Sequence, residues 1–558
     1  METFMEIQFL GAARTVTGSC YIIETDNLRF AVDFGMHQGS KAIEERNTQS
    51  ELYMAEKLDF ILLTHAHIDH SGLLPKAAKD GFKGPIYCSA PTAALLDVML
   101  QDSAYIQEME ASWLSRKLAR QGKPPVEALY TAQDAQKALS LLKPVAFGQT
   151  VRFKESSVFF TFREAGHILG AAFIELAVQE NGKVQTLVFS GDLGRSNSLL
   201  TCKPAIPQFP QTDYLFLEST YGNRNHKSSD LSIQELCDAI EYSYSHGEKV
   251  IIPAFAIERT QEILHILKGL HAQGKIPHDM PIFVDSPLAI KATEIFRRHT
   301  GFFCKEITEI VLRGDDPFSL PNLHFTPSVR DSQELNSYEG TAIIISASGM
   351  CNAGRIRHHL RHNLWRKGAS IVFTGYQALG TPGRRLVDGA TSLALFGEDV
   401  VVAAKIYTIG GLSAHAGQDE LVEWVKQFAH PEMQVFFTHG EDDAINTLAG
   451  ILEEEAQIQP IIPEYLGTCE LKGGLAVPGH EVVQTYLAID WPAVVYQMGV
   501  SLKYLEQQLD RLPHIPLDKQ YAFMDDLTEL GTKMHSLLKH ADEAFLALEN
   551  EAKREKRI

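Results

Sequence analysis

Between residues 65 and 70 the chain carries His65, His67, Asp69 and His70, four side chains able to ligate a metal within six residues. They follow directly on the apolar run DFILL, so they stand at the mouth of a strand and not inside a core. Imidazoles two residues apart point the same way, and a turn can bring Asp69 and His70 round to face them. The spacing supplies parts of two clusters, His65 with His67 for one ion and Asp69 with His70 for a neighbour. Neither pair closes a tetrahedral site, so further ligands must come from other strand ends. His167, after FFTFREAG, and Asp192, closing VFSGD, are the candidates, although a strand-terminal Asp in SGDLG serves equally well as a turn former. Imidazole and carboxylate donors suit Zn²⁺, with Mn²⁺ as the lesser substitute.

A second stretch suggests anion binding. Residues 341–387 contain Arg355, Arg357, Arg361, Arg366, Lys367, Arg384 and Arg385 and no Asp or Glu. That is +7 within a chain of 558 residues whose 51 Lys and Arg face 70 Asp and Glu, a formal charge of −19. The acid surplus excludes coating of nucleic acid by bulk charge, but it leaves room for one local basic groove. Ser348-Gly349-Met350 follow a buried strand and lead into the arginine-bearing helix, where backbone N–H groups can meet a phosphate. GTPGRR (380–385) is a second such turn. Ser348, Gly349, Met350, Arg355, Arg384 and Arg385 are therefore the candidate phosphate contacts. A solvated helix face is the lesser alternative for Arg366 and Lys367; His358, His359 and His362 could line the same groove, and plain surface placement accounts for them equally.

The elements that must hold these residues change character along the chain. The first 220 residues read as short strands punctuated by Gly, Asn and Asp, interrupted by one long helix from about 91 to 121. From about 231, strand and helix alternate as in a largely parallel sheet. Residues 500–556 read as helices with Leu502, Leu505, Leu509 and Leu512 at helical spacing, then Tyr521, Met524, Leu527, Leu530 and Met534. They form either a hairpin packed on its own protein or an oligomer seam. No apolar run approaches the roughly 18 residues of a membrane span. The N-terminus lacks a signal-peptide pattern. Seven scattered cysteines, never in CxxC spacing, point to the reducing cytosol.

Taken in order, these motifs resemble the metallo-β-lactamase superfamily, with Asp33, closing LRFAVD, similar to its first motif. Glu218 in LFLESTYGNR, His415 in GGLSAHAG and His439 in FFTHGE resemble motifs A, B and C of its β-CASP branch, the nucleic-acid-processing one. GAARTVTGS, PAFAIERTQE, VDSPLA, SASGMCNAGRIRHHL and SAHAGQDEL extend the resemblance over residues 5–465. It is strongest toward bacterial relatives of the pre-mRNA 3′-end processing endonuclease. The chain departs from the pattern at Thr15, where an acid is usual, and at Glu258, where a small residue is usual. Taken alone, Glu218 is as well explained by a strand-end salt bridge; its pairing with His415 comes from the resemblance.

The resemblance implies an α/β fold, a metallo-β-lactamase αββα sandwich with an inserted α/β β-CASP domain and a helical C-terminal appendage. The expected boundaries are 1–220 and 401–466 for the sandwich, 221–400 for the insertion and 467–558 for a mainly helical extension. It implies two zinc ions, one on His65, His67 and His167, one on Asp69, His70 and His439, with Asp192 between them and Asp33 orienting a ligand histidine. It further implies a cytoplasmic ribonuclease that hydrolyses single-stranded RNA by a two-metal mechanism, with a metal-bound hydroxide nucleophile assisted by Asp69. His415 is the expected general acid, steadied by Glu218; a His at motif C favours RNA over DNA. A homodimer through the extension is the expected self-association. The alternatives are a small-molecule (thio)ester hydrolase of the same fold and a non-catalytic RNA-processing scaffold.

Overall fold

The computed structural model describes residues 5–154, 156–180, 183–377 and 380–479, and isolated positions between 499 and 527. The chain divides into Met1–Val482 and Val483–Ile558. Most of the expected helical extension, including Leu512, Tyr521, Leu530 and Met534, lies outside the described residues.

Two sheets face each other in the first unit. One has eight strands and runs in space from Leu475–Pro478 and Thr468–Lys472 through Met5–Phe9, Tyr21–Thr25, Arg29–Val32, Phe60–Leu62 and Ile86–Cys88 to Leu142–Pro144. The other has six, from Gln434–Thr438 through Tyr214–Glu218, Lys183–Phe189, Ala172–Glu180 and Val158–Glu164 to Thr150–Arg152. Alternation explains their faces: Val158, Phe160 and Phe162 are buried between the sheets, while Phe159 lies outward under the Arg152 guanidinium. The shared core is aromatic, with Phe30 on Phe60 at 4.5 Å and Phe189 on Phe216 at 4.2 Å between ring centres.

A third sheet of six parallel strands is inserted between Tyr214–Glu218 and Gln434–Thr438 in the chain, in the order Leu323–Phe325, Ile282–Val284, Ala342–Ser346, Lys249–Pro253, Ser370–Phe373, Lys405–Thr408. Its central strands, KVIIP and AIIIS, are buried at every residue, as a parallel sheet covered on both faces requires. Among the described residues no helix is long and apolar enough to cross a membrane.

Two limits differ from the sequence expectation. Lys405–Thr408 pairs with Ser370–Phe373, so the inserted sheet continues past residue 400. Thr468–Lys472 pairs with Met5–Phe9 and turns through Gly473-Gly474 into Leu475–Pro478, so the first sheet continues past 466. Both turn glycines have positive φ, +56° and +87°, the conformation that a tight two-residue hairpin demands.

The parallel pairing that matters for the site is Tyr214–Glu218 with both Lys183–Phe189 and Gln434–Thr438. It brings the strand ends before Asp192, at Glu218 and before His439 to one edge. Phe60–Leu62 and Val158–Glu164 deliver the His65 and His167 turns.

Candidate metal centre

Three imidazole nitrogens converge at this edge. His65 Nε2 and His167 Nε2 each lie 3.2 Å from His67 Nδ1. A tetrahedron of nitrogens around zinc has edges of about 3.3 Å, given Zn–N bonds of about 2.05 Å. Asp192 Oδ2 stands 3.6 Å from His65 Nε2 and 3.5 Å from His167 Nε2. Its other oxygen, Oδ1, faces the opposite way, 3.3 Å from His70 Nε2 and 3.5 Å from His439 Nδ1. The buried carboxylate therefore divides its two oxygens between two donor groups. The second group is closed by Asp69, whose Oδ2 lies 3.4 Å from His439 Nε2.

The donor chemistry fits a divalent metal. Burial, reinforced by neighbouring imidazoles, holds His65 and His167 well below the usual imidazole range. Burial likewise brings His67 down to about 4, against the pull of Asp69 and Asp192. Neutral imidazole is the form that ligates. Burial would raise the Asp192 carboxyl, but His439, His70 and His415 outweigh it and hold it well below the carboxylate range. Asp192 Oδ1 is buried with no hydrogen-bond partner among the described residues, an orphan that an ion would satisfy. Imidazole with carboxylate suits zinc.

The surrounding groups fix orientation. Asp33, at φ +57° just past its strand, sits 2.7 Å from His70 Nδ1 and accepts hydrogen bonds from the Thr64 N–H and hydroxyl. Thus His70 turns its Nε2 toward Asp192. His415 Nδ1 lies 3.1 Å from Glu218 Oε2. The fully buried Glu218 is itself pinned by the Leu193 N–H on Oε1 and the Thr220 hydroxyl on Oε2, both at 2.6 Å. Burial works against charge on His415, yet Glu218 and then Asp192 raise it to about 9. The ring is 18% exposed.

Sequence reasoning missed Thr64, Thr220 and Phe255. The first two abut motif residues and carry no signal beyond a hydroxyl beside a ligand. Phe255 follows the strand Lys249–Pro253, its ring centre 6.4 Å from that of His67. It also packs on Gly349, where a Cβ would come within 2.9 Å of the ring. That contact links the Ser348–Met350 loop, through Phe255, to His67. Gly383 N–H donates to Met350 O, so the GTPGRR turn joins the same loop.

The acid-free stretch is less basic than its count. Arg355 is committed inside the fold, to Asp285 Oδ1 and Thr326 O at 2.7 Å and Pro327 O at 3.0 Å. These bonds commit much of its guanidinium within the fold, where the sequence alone offered it as a phosphate contact. Arg361 pairs with Glu398, Arg366 with Glu248 and Arg384 with Asp388. All four carboxylates lie outside 341–387, where a count along the chain could not see them. Arg385 is exposed and has no side-chain partner among the described residues.

Asp285 also receives His359 Nε2, the Ser332 hydroxyl and the Thr326 hydroxyl. Burial opposes its charge, but these bonds, His359 first, bring the carboxyl down to about 2. A depressed carboxylate stabilises the fold fully above its unfolded value of about 3.9 and loses that contribution as pH falls toward 2. Denaturant unfolding across this window is expected to show wild type losing stability faster than Asp285→Asn, the two curves running parallel above pH 5.

Three family models match the chain in order. A metallo-beta-lactamase superfamily domain covers residues 22–190, a Beta-Casp domain 260–386, and a Zn-dependent metallo-hydrolase RNA specificity domain 399–463. Ribonuclease TTHA0252 of Thermus thermophilus is 34% identical over 81% of this chain and 97% of that protein. Transcription termination factor FttA of Thermococcus kodakarensis is 30% identical, and its Methanocaldococcus jannaschii counterpart 27%, each over 84% of this chain and 72% of the relative.

Proposed function

From the membership of this chain in the β-CASP ribonuclease family of metallo-β-lactamase-fold hydrolases, a family of metal-dependent nucleases, we propose that it hydrolyses phosphodiester bonds of single-stranded RNA at a two-metal centre. The observation that carries this reading is Asp192, whose two oxygens face two separate imidazole groups beside the Glu218–His415 pair. In this reading His65, His67 and His167 hold one zinc ion and Asp69, His70 and His439 the other, with Mn²⁺ able to substitute. The ions, when bound, polarise a phosphate oxygen and bring water to a pKa of about 7.

The chain's own residues do the rest. Asp69 takes the proton of the attacking water. His415 gives a proton to the leaving oxygen of the ribose, and Glu218 holds its Nδ1 so that Nε2 is the donating atom. Asp33 keeps His70 aligned. The Ser348–Met350 loop grips the phosphate next to the one cleaved, and Arg385 adds a surface charge. The inserted sheet is the β-CASP domain in this account. A strand without a partner is favoured because bases must splay to enter between two packed domains. We place the protein in the cytoplasm, where its unpaired thiols stay reduced, and assign self-association to the segment after residue 467.

Arg385→Ala is expected to weaken RNA binding and to reduce the salt slope of log K by about 0.7, the loss of one phosphate contact. Arg355→Ala is expected to leave that slope unchanged and instead destabilise the fold by about 3 kcal/mol, because Asp285 is left buried without its cation. Binding titrations at several salt concentrations and urea unfolding read the two. The function itself is tested by supplying zinc-loaded protein with a labelled single-stranded RNA oligomer and, separately, a thioester. Cleavage of the RNA is expected; turnover of the thioester alone would sink the proposal.

A further inference from the structure

The helix Arg259–Ala272 of the inserted domain begins in an unusual way. Glu258, just before it, has φ +67° and ψ −61°, and the Arg259 N–H donates to Ile257 O at 2.9 Å. This is a γ-turn of the rare positive-φ kind, in a region that a side chain with a Cβ resists. The side chain is equally unusual. It is 2% exposed, and one carboxyl oxygen accepts the Leu169 N–H at 2.9 Å while the other has no partner among the described residues. Its sequence neighbour Arg259 does not answer it, being paired with Glu262. A glycine would adopt this turn without strain but would leave the buried Leu169 N–H without an acceptor.

Leu169 is two residues after His167, in the turn His167-Ile168-Leu169-Gly170. The rest of that turn is held from within the sandwich: Ala171 N–H donates to Ile168 O, and the hydroxyls of Ser89 and Thr92 donate to Gly170 O. Among the described residues, the hydrogen bond that reaches it from the inserted domain is the one from the Leu169 amide to Glu258. His167 Nδ1 is itself buried with no partner among the described residues, so on that side the ring is set by its backbone and by packing.

We propose that Glu258 is a positioning residue for the metal centre, fixing the His167 turn through the Leu169 amide and so coupling the inserted domain to the ligand set. The assignment rests on the reading of His167 as a ligand. It deepens that reading by naming a residue outside the ligand set that sets the ligand's place. Burial, and then the Glu262 carboxylate, push the Glu258 carboxyl well above the usual carboxylate range, outweighing the Leu169 bond and Arg259. A neutral amide of the same shape is therefore a faithful replacement.

The full chain carrying Glu258→Gly or Glu258→Gln tests this. Glu258→Gly relieves the turn and removes the acceptor; Glu258→Gln keeps the acceptor. Amide hydrogen exchange is read first on the metal-free proteins. Leu169 is expected to exchange at least 10-fold faster in Glu258→Gly, with the strands Val158–Glu164 and Ala172–Glu180 unchanged, and at the wild-type rate in Glu258→Gln. Zinc competition with a chelator is read second. Glu258→Gly is expected to bind one ion about 10- to 100-fold more weakly, the usual loss on removing an outer partner of a ligand, and Glu258→Gln within about twofold of wild type. A Glu258→Gly protein that unfolds globally, or that keeps wild-type Leu169 exchange, or a Glu258→Gln protein as impaired as Glu258→Gly, would overturn the proposal. Because the exchange needs no metal, it stands apart from zinc binding by wild type, which tests the reading of the centre itself.

Discussion

His415→Ala is expected to slow RNA cleavage by about 100- to 10,000-fold, the range that a positioned proton donor contributes. Zinc content and thermal stability should stay close to wild type. The separation follows from where the ring sits. His415 Nδ1 borders the Asp192 carboxylate at 3.9 Å, farther than the nitrogens of His65, His167, His70 and His439, and is committed to Glu218. Its removal leaves both donor groups intact and deprives the leaving oxygen of its proton. An RNA analogue whose leaving oxygen needs no proton, such as a nitrophenyl ester, should be cleaved by the variant nearly as fast as by wild type. Steady-state rates on both substrates, with metal analysis of the same samples, read the prediction.

Asp192→Ala should act in the opposite order, metal first. One carboxylate serves both groups, so its loss opens both sets of ligands and leaves His70 and His439 facing each other without the anion between them. Zinc affinity is expected to fall by at least about 100-fold at both positions, with cleavage lost in proportion. High zinc should restore part of the activity, which it cannot do for His415→Ala. Equal metal loss in the two variants would show that His415 is a ligand and that its assignment as acid is wrong.

These contrasts follow the division between what the sequence disclosed and what it hid. His65, His67, Asp69 and His70 were legible because local spacing alone puts four donors at one strand mouth. His167 and Asp192 were legible as residue types at strand ends and His439 only through the family resemblance, while the parallel pairing of Tyr214–Glu218 with its two neighbours is what brings the strands before Asp192 and His439 to one edge. The charge of the 341–387 stretch misled for a related reason. Its partners Asp285, Glu248, Glu398 and Asp388 lie outside the counted window, and the pairing is a property of the fold. The last hairpin was the reverse case: Lys-Gly-Gly-Leu is a readable turn signal, overshadowed by the helical pattern that follows it. Glu258 was visible only as a departure from a pattern; its γ-turn and its bond to Leu169 needed coordinates.

The acid surplus of −19 now has a physical place beside an RNA substrate. Asp33, Asp69, Asp192 and Glu218 hold imidazoles, and other carboxylates neutralise most of the arginines that a chain-order count left free. In the proposed reading, phosphate recognition falls to the metal centre, the Ser348–Met350 loop and a few exposed cations, so binding should be less salt-dependent than seven free charges would make it. With a slope of about 0.7 per contact, three contacts give about −2 and seven about −5.

The most direct test strips the purified chain of metal with a chelator, dialyses the chelator away, and adds zinc back stepwise against a 5′-labelled single-stranded RNA. Cleavage is expected to be absent at the start and to rise with zinc until about two ions are bound per chain, with Asp69→Ala inactive throughout. Cleavage that survives complete removal of metal, or that zinc fails to restore in a folded chain, would contradict the account.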